Sequence, residues 1–90
     1  MAYSVVADTG NLTFNLKVSS EPEGATVKYM RRGDEYTQNS DPTNATISSL
    51  VYAIWIIRFE MQGYVPQERT HDPFKETDHV VSVTMRPQGH

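Results

Sequence analysis

The run Glu21-Pro22-Glu23-Gly24-Ala25 sits between two stretches that alternate apolar and polar residues, a turn with a strand on either side that points to a hairpin in an all-β module. On its near side Leu12, Phe14, Leu16 and Val18 alternate with Thr13, Asn15, Lys17 and Ser19. A period of two marks a half-buried strand. On its far side Ala25, Val27 and Tyr29 alternate with Thr26, Lys28 and Met30, a second and weaker strand. Pro22 presets its own φ and Gly24 can take a positive φ, so the reversal between the strands costs little.

The rest of the chain continues in the same idiom. Residues 31–44 are polar and rich in turn formers, which predicts a loop around Gly33, a short strand near Tyr36 and a turn at Asp41-Pro42. Ala45 to Leu50 is β-prone but short. Val51 to Met61 reads as the longest strand, with Trp55, Ile57, Phe59 and Met61 on one face and Tyr52, Ile54, Ile56, Arg58 and Glu60 on the other. Gln62-Gly63 marks a break. Tyr64 to Thr70 reads as extended, with Pro66 placing it at an edge or a strand start. His71 to Asp78 reads as a loop, and Val80 to Met85 as a final strand with Val81, Val83 and Met85 inward. No capped stretch of period 3.6 predicts a helix. About six or seven short strands separated by turn signals predict an all-β sandwich or small barrel.

Composition narrows the function classes. Ninety residues make one domain with one modest core. The net charge is -3 with both signs interspersed, so there is no basic stripe for nucleic acid and no polybasic cluster for anionic lipid. There is no cysteine. Disulfides staple many small extracellular modules, so their absence fits a bacterial or archaeal source, an intracellular setting, or a core that suffices alone. Residues 1–10 lack the basic and apolar regions of a signal peptide. Leu50 to Phe59 is too short to span a bilayer as a helix. The expected organisation is an extension at 1–11, a domain over 12–86 and a tail at 87–90, the whole a module from a longer protein.

Phe14 to Val27, with Pro22-Glu23-Gly24-Ala25 at its centre, resembles the opening of PEGA domains, which take their name from that turn. The resemblance continues in order through Gly33, Leu50, Trp55-Ile56-Ile57-Arg58-Phe59, the Gly63-Tyr64 pair and the closing Val81, Val83 and Met85. It covers roughly residues 12–86. Two places depart from the pattern. Ser40-Asp41-Pro42-Thr43 lies in a longer loop than the family has, and Ser48 to Ala53 lacks its Pro-Gly or Asn-Gly turn. The resemblance implies a small antiparallel β-sandwich of the transthyretin-like, carboxypeptidase-regulatory-like kind. It also implies a module without catalysis or cofactor, set in a larger prokaryotic protein on the extracytoplasmic side. The leading reading is a spacer or protein–protein interaction module whose partners are neighbouring domains, another protein or a second copy. The alternatives are an envelope carbohydrate-binding module with a glycan as partner, or an accessory domain of a peptidase or other hydrolase.

Candidate sites are few. Tyr52, Ile54 and Ile56 face away from the Trp55 side of their strand, where a plain sandwich is polar. They are the candidate interaction surface, unless the N-terminal segment with Tyr3, Val5 and Val6 covers them. His71, Asp72, Glu76, Asp78 and His79 are suitable metal ligands in type, but their spacing matches no metal motif, and a solvated loop accounts for them. Acid–base catalysis there needs a cleft holding a pair in register. Arg31-Arg32 suits an acidic partner, and Arg32-Gly33-Asp34 is an adhesion tripeptide that also arises by chance. Asn11-Leu12-Thr13 and Asn44-Ala45-Thr46 are formal glycosylation acceptors. Tyr3, Tyr36 and Tyr64 are candidate surface aromatics, whereas Trp55 reads as core. The turns at Pro22, Glu23, Gly24, Ala25 and at Gly63-Tyr64 read as structural.

Overall fold

The computed structural model describes residues 12–31 and 33–89. The expected extension at 1–11 and Arg32 lie outside the described residues. All regular structure among those described is β: β1 Thr13–Glu21, β2 Thr26–Arg31, β3 Thr37–Gln38, β4 Ala45–Val51, β5 Trp55–Glu60, β6 Tyr64–Val65, β7 Gln67–His71, β8 Val80–Thr84 and β9 Arg86–Pro87. β3, β6 and β9 are two-residue pieces, so six longer strands carry the architecture. One sheet has the order β4-β1-β8 and a second the order β3-β2-β5-β7, while β6 and β9 form a small ladder of their own.

The two larger sheets make a small sandwich because each strand buries alternate residues. β1 turns Phe14, Leu16 and Val18 inward, and β8 adds Val81 and Val83, with Met85 just beyond its end. The facing sheet supplies Val27, Trp55, Ile57 and Phe59. Leu16, Val27, Ile57 and Phe59 have no exposed surface. Burying a side chain of this kind contributes about 1.5–3 kcal/mol.

β1 and β8 run parallel, from Lys17↔Val80 to Glu21↔Thr84, whereas the other strand pairs are antiparallel. Parallel neighbours need a long crossover, and here the whole second sheet is built within it. β1 is also the central strand of its sheet, with β4 on its other side. The chain therefore comes in at the start of β1 and leaves past the end of β8, at opposite ends of the sandwich.

Four expectations are corrected. The Glu21–Ala25 turn does not close a hairpin, because β1 and β2 belong to different sheets; it is a corner between layers. Val51 to Met61 is not one strand. β4 ends at Val51 and β5 begins at Trp55 in the other sheet, so the chain must break its extension over residues 52–54 to change layers. The Trp55 indole N–H donates to Val51 O at 2.9 Å across that break. His71 is not in a loop but ends β7, opposite Trp55. Regular pairing also passes residue 86, since Pro87 pairs with Tyr64 and Gln88 N–H donates to Gly63 O at 2.9 Å.

A bulge accounts for the strand that lacks a recognisable turn signal. Phe14 pairs with Leu50 but Leu16 pairs with Ile47, so Ser48 and Ser49 stand opposite Asn15 alone. Ser49 takes φ 58°, the left-handed region. The Asn15 side chain accepts the Ser49 N–H at 3.1 Å. The extra residue lets Ile47 and Leu50, three apart, both point into the core.

Candidate functional site

The layer change at 52–54 separates the three candidate contact residues. Ile56 lies on β5 between Met30 of β2 and Thr70 of β7, on the outer face, and is half-buried. Ile54 lies in the connection and is 37% exposed. Tyr52 leaves that face altogether. Its ring meets Phe14 edge-on at 5.4 Å and Phe74 at 5.4 Å. The apolar part of the outer face is thus Met30 and Ile56, with Ile54 exposed in the adjoining connection and Met30 supplied by register from a neighbouring strand rather than by the local sequence.

Beside this apolar part the same face is ionic. Lys28, Arg58 and Glu68 stand opposite one another on β2, β5 and β7. Lys28 Nζ lies 2.9 Å from Glu60 Oε1, and the Arg58 guanidinium reaches Glu60 Oε2 at 2.6 Å and Glu68 Oε2 at 2.8 Å. The Tyr36 hydroxyl donates to the same Glu68 oxygen at 3.0 Å. Hydrogen bonds from Arg58 and Lys28 hold the Glu60 carboxyl below the usual carboxylate range. Those bonds to Glu60 and Glu68 raise the Arg58 guanidinium in turn. Desolvation, then the bond to Glu68, raises the Tyr36 phenol. Exposed pairs of this kind contribute about 0–1 kcal/mol each. Their effect on function is to satisfy these charges within the domain.

The histidine and carboxylate cluster condenses at one end of the sandwich. His71 is fully buried, and its Nε2 lies 3.1 Å from His79 Nδ1. The His79 ring stacks on Phe14 at 4.6 Å. His71 Nδ1 has no hydrogen-bond partner, and the nearest carboxylate oxygen, of Glu76, is 3.8 Å away. Burial pushes the His71 imidazole below its ordinary range, with the Glu76 charge opposing, so burial disfavours the charged ring that an ion pair with Glu76 would require. Asp72 is used locally, accepting Phe74 N–H at 3.0 Å. No group of three or more metal-ligating side chains comes together among the described residues. A substrate has no path to His71 in this arrangement, because the ring has no surface.

The remaining candidates resolve one by one. The Arg31 Nε lies 3.2 Å from Asp34 Oδ2, and the guanidinium lies 6.0 Å from the Trp55 ring centre. Asp34 of the tripeptide is therefore turned back on its own strand. Asn44 Oδ1 accepts Ser20 N–H at 3.1 Å, while Asn11 lies outside the described residues. Tyr36 bonds Glu68, Tyr64 packs partly against the core and Tyr52 sits in the end cluster, so no ring contact among the described residues unites them into a platform. Trp55 is core, as expected, at 9% exposed.

The corner is a closed polar device that the turn residues alone do not reveal. Gly24 takes φ +101° and its N–H is shared between Thr43 O at 2.9 Å and Thr43 Oγ1 at 3.1 Å. Ala25 N–H also donates to Thr43 Oγ1, at 2.9 Å. Thr43 and Ser20 are both buried, with their hydroxyls 2.6 Å apart. Gly63, at φ +84°, makes the simpler turn before β6, with Tyr64 N–H donating to Met61 O. The signal for Thr43 was present in the sequence only as a threonine after Asp41-Pro42.

No family model, curated protein or solved structure matches this chain.

Proposed function

We propose that this chain is a non-catalytic β-sandwich module of the PEGA-like, transthyretin-like kind that its landmarks resemble. It serves as a spacer and contact domain in a larger prokaryotic protein, exported or attached to the surface. The observation that carries the reading is the parallel pairing of β1 with β8, which sends the chain in and out at opposite ends. A module built this way adds its length to a string of domains. The ionic ladder of the outer face and the sealed His71 support the non-catalytic half, since those groups are engaged within the domain. Contact with a neighbouring domain falls to Met30, Ile54 and Ile56.

The reading is tested on a tandem of two copies joined by a short linker. Small-angle X-ray scattering should give a maximum dimension that grows by about one domain length from the single copy to the tandem. A tandem that folds back on itself, with little gain in length, overturns the spacer reading.

A further inference from the structure

We propose that the β1–β8 ladder is a mechanical clamp, and that bearing tension along the chain is a function of this fold. Tension applied through the chain before β1 and after β8 draws β1 toward its own start and β8 toward its own end. For a parallel pair those two directions are opposite and lie along the strands. The load is then shear, shared by the ladder bonds at once, rather than a peeling force that breaks them one by one.

The ladder is suited to this. Five residue pairs are in register, from Lys17↔Val80 to Glu21↔Thr84. Lys17 N–H donates to His79 O at 3.0 Å at one end, and Met85 N–H donates to Glu21 O at 2.9 Å at the other. Ser19 and Ser82 add a side-chain bridge at 2.8 Å. β1 cannot slide without also shearing its ladder with β4, because it lies between the two. Each bond adds only about 0.5–1.5 kcal/mol to equilibrium stability, so the clamp is invisible in ordinary melts. Forced unfolding is governed instead by the rate of crossing the barrier, and a barrier that requires the bonds to break together is high.

This inference rests on the spacer reading for its setting, but its test does not. The chain has no cysteine, so handles can be placed in pairs. One protein carries Leu12→Cys and Thr84→Cys, at exposed positions before β1 and at the end of β8; the other carries Glu21→Cys and Thr84→Cys, exposed and adjacent at one end of the ladder. Both pairs are checked for equal thermal stability and pulled singly at the same loading rate. The 12/84 geometry should rupture at the higher force, because 21/84 peels the same ladder. Equal forces, or a higher force for 21/84, overturn the clamp. That outcome leaves the spacer reading standing, since placing domains needs only opposite ends, whereas a folded-back tandem in scattering removes the spacer and leaves the force comparison intact.

Discussion

The proton between Thr43 and Ser20 belongs to Thr43. Ser20 Oγ lies 2.7 Å from the carbonyl of Pro22, which can only accept, so the single Ser20 proton goes there. Thr43 must therefore donate across the 2.6 Å to Ser20 Oγ, while its own lone pairs take the N–H groups of Gly24 and Ala25. Every polar atom in this buried corner is satisfied by the other members.

Thr43→Val keeps the shape and removes that hydroxyl. Ala25 N–H is left buried without its acceptor and Ser20 without its donor. Leaving a buried group unpaired costs about 1–3 kcal/mol. Chemical denaturation should show a loss in this range, with Thr43→Ser recovering most of it. A Thr43→Val protein as stable as the parent would show that the corner relaxes onto water.

Gly24→Ala and Ser49→Gly should move stability in opposite directions. At Gly24 a Cβ would meet only Met61 Cε at 3.7 Å, an ordinary contact, so the cost comes from φ +101° alone. A left-handed backbone costs an L-residue roughly 1–2 kcal/mol. Ser49 already carries that strain at φ 58°, and glycine would relieve it, less the entropy that glycine adds to the unfolded chain. Thermal melts of the two variants should bracket the parent.

His71 makes stability depend on pH. Its folded pKa lies below the unfolded value of about 6.5, so between the two the unfolded chain binds more protons. Stability contributed by His71 is complete above the unfolded value and is lost as pH falls through the folded one. Melting temperatures from neutral to acid pH should show this fall, and His71→Phe should flatten it. An unchanged slope in that variant would assign the dependence to other groups.

Ile54→Lys combined with Ile56→Thr should leave the melt within about 1 kcal/mol of the parent, as surface changes do, and abolish contact with a neighbouring domain. Extended tandems that lose interdomain protection on this double change would locate the interface at the junction between the domains. Unfolding of the variant would show the pair to be core.

The strands were legible in the sequence where alternation is uninterrupted, as in Phe14-Leu16-Val18 and Val81-Val83-Met85. The core face Trp55-Ile57-Phe59 was legible for the same reason. The layer change was not, because Tyr52, Ala53 and Ile54 sit in an unbroken apolar run from Leu50 to Ile57 with no Gly, Pro or polar residue to mark the break. The bulge at Ser48-Ser49 was hidden because its left-handed residue is a serine. The regrouping of the candidate surface, with Met30 replacing Tyr52, depends on strand register across a sheet, which no local pattern encodes. The turn residues at Glu21 to Ala25 read locally as a reversal between paired strands, and only the partner Thr43, on a distant loop, makes the turn a joint between layers.

The pairing of the first long strand with the last also orders events in time. Ser19 and Ser82 are 63 residues apart, and closing a loop of that length costs about 4 kcal/mol before any contact repays it. β1 must wait for β8 to be made, holding one edge of its backbone unpaired meanwhile. In a string of near-identical copies, the β8 of the preceding copy is already present and fits that edge. Tandem arrays of this module therefore need sequence differences between adjacent copies at residues 17–21 and 80–84, so that each strand finds its own partner and not its neighbour's.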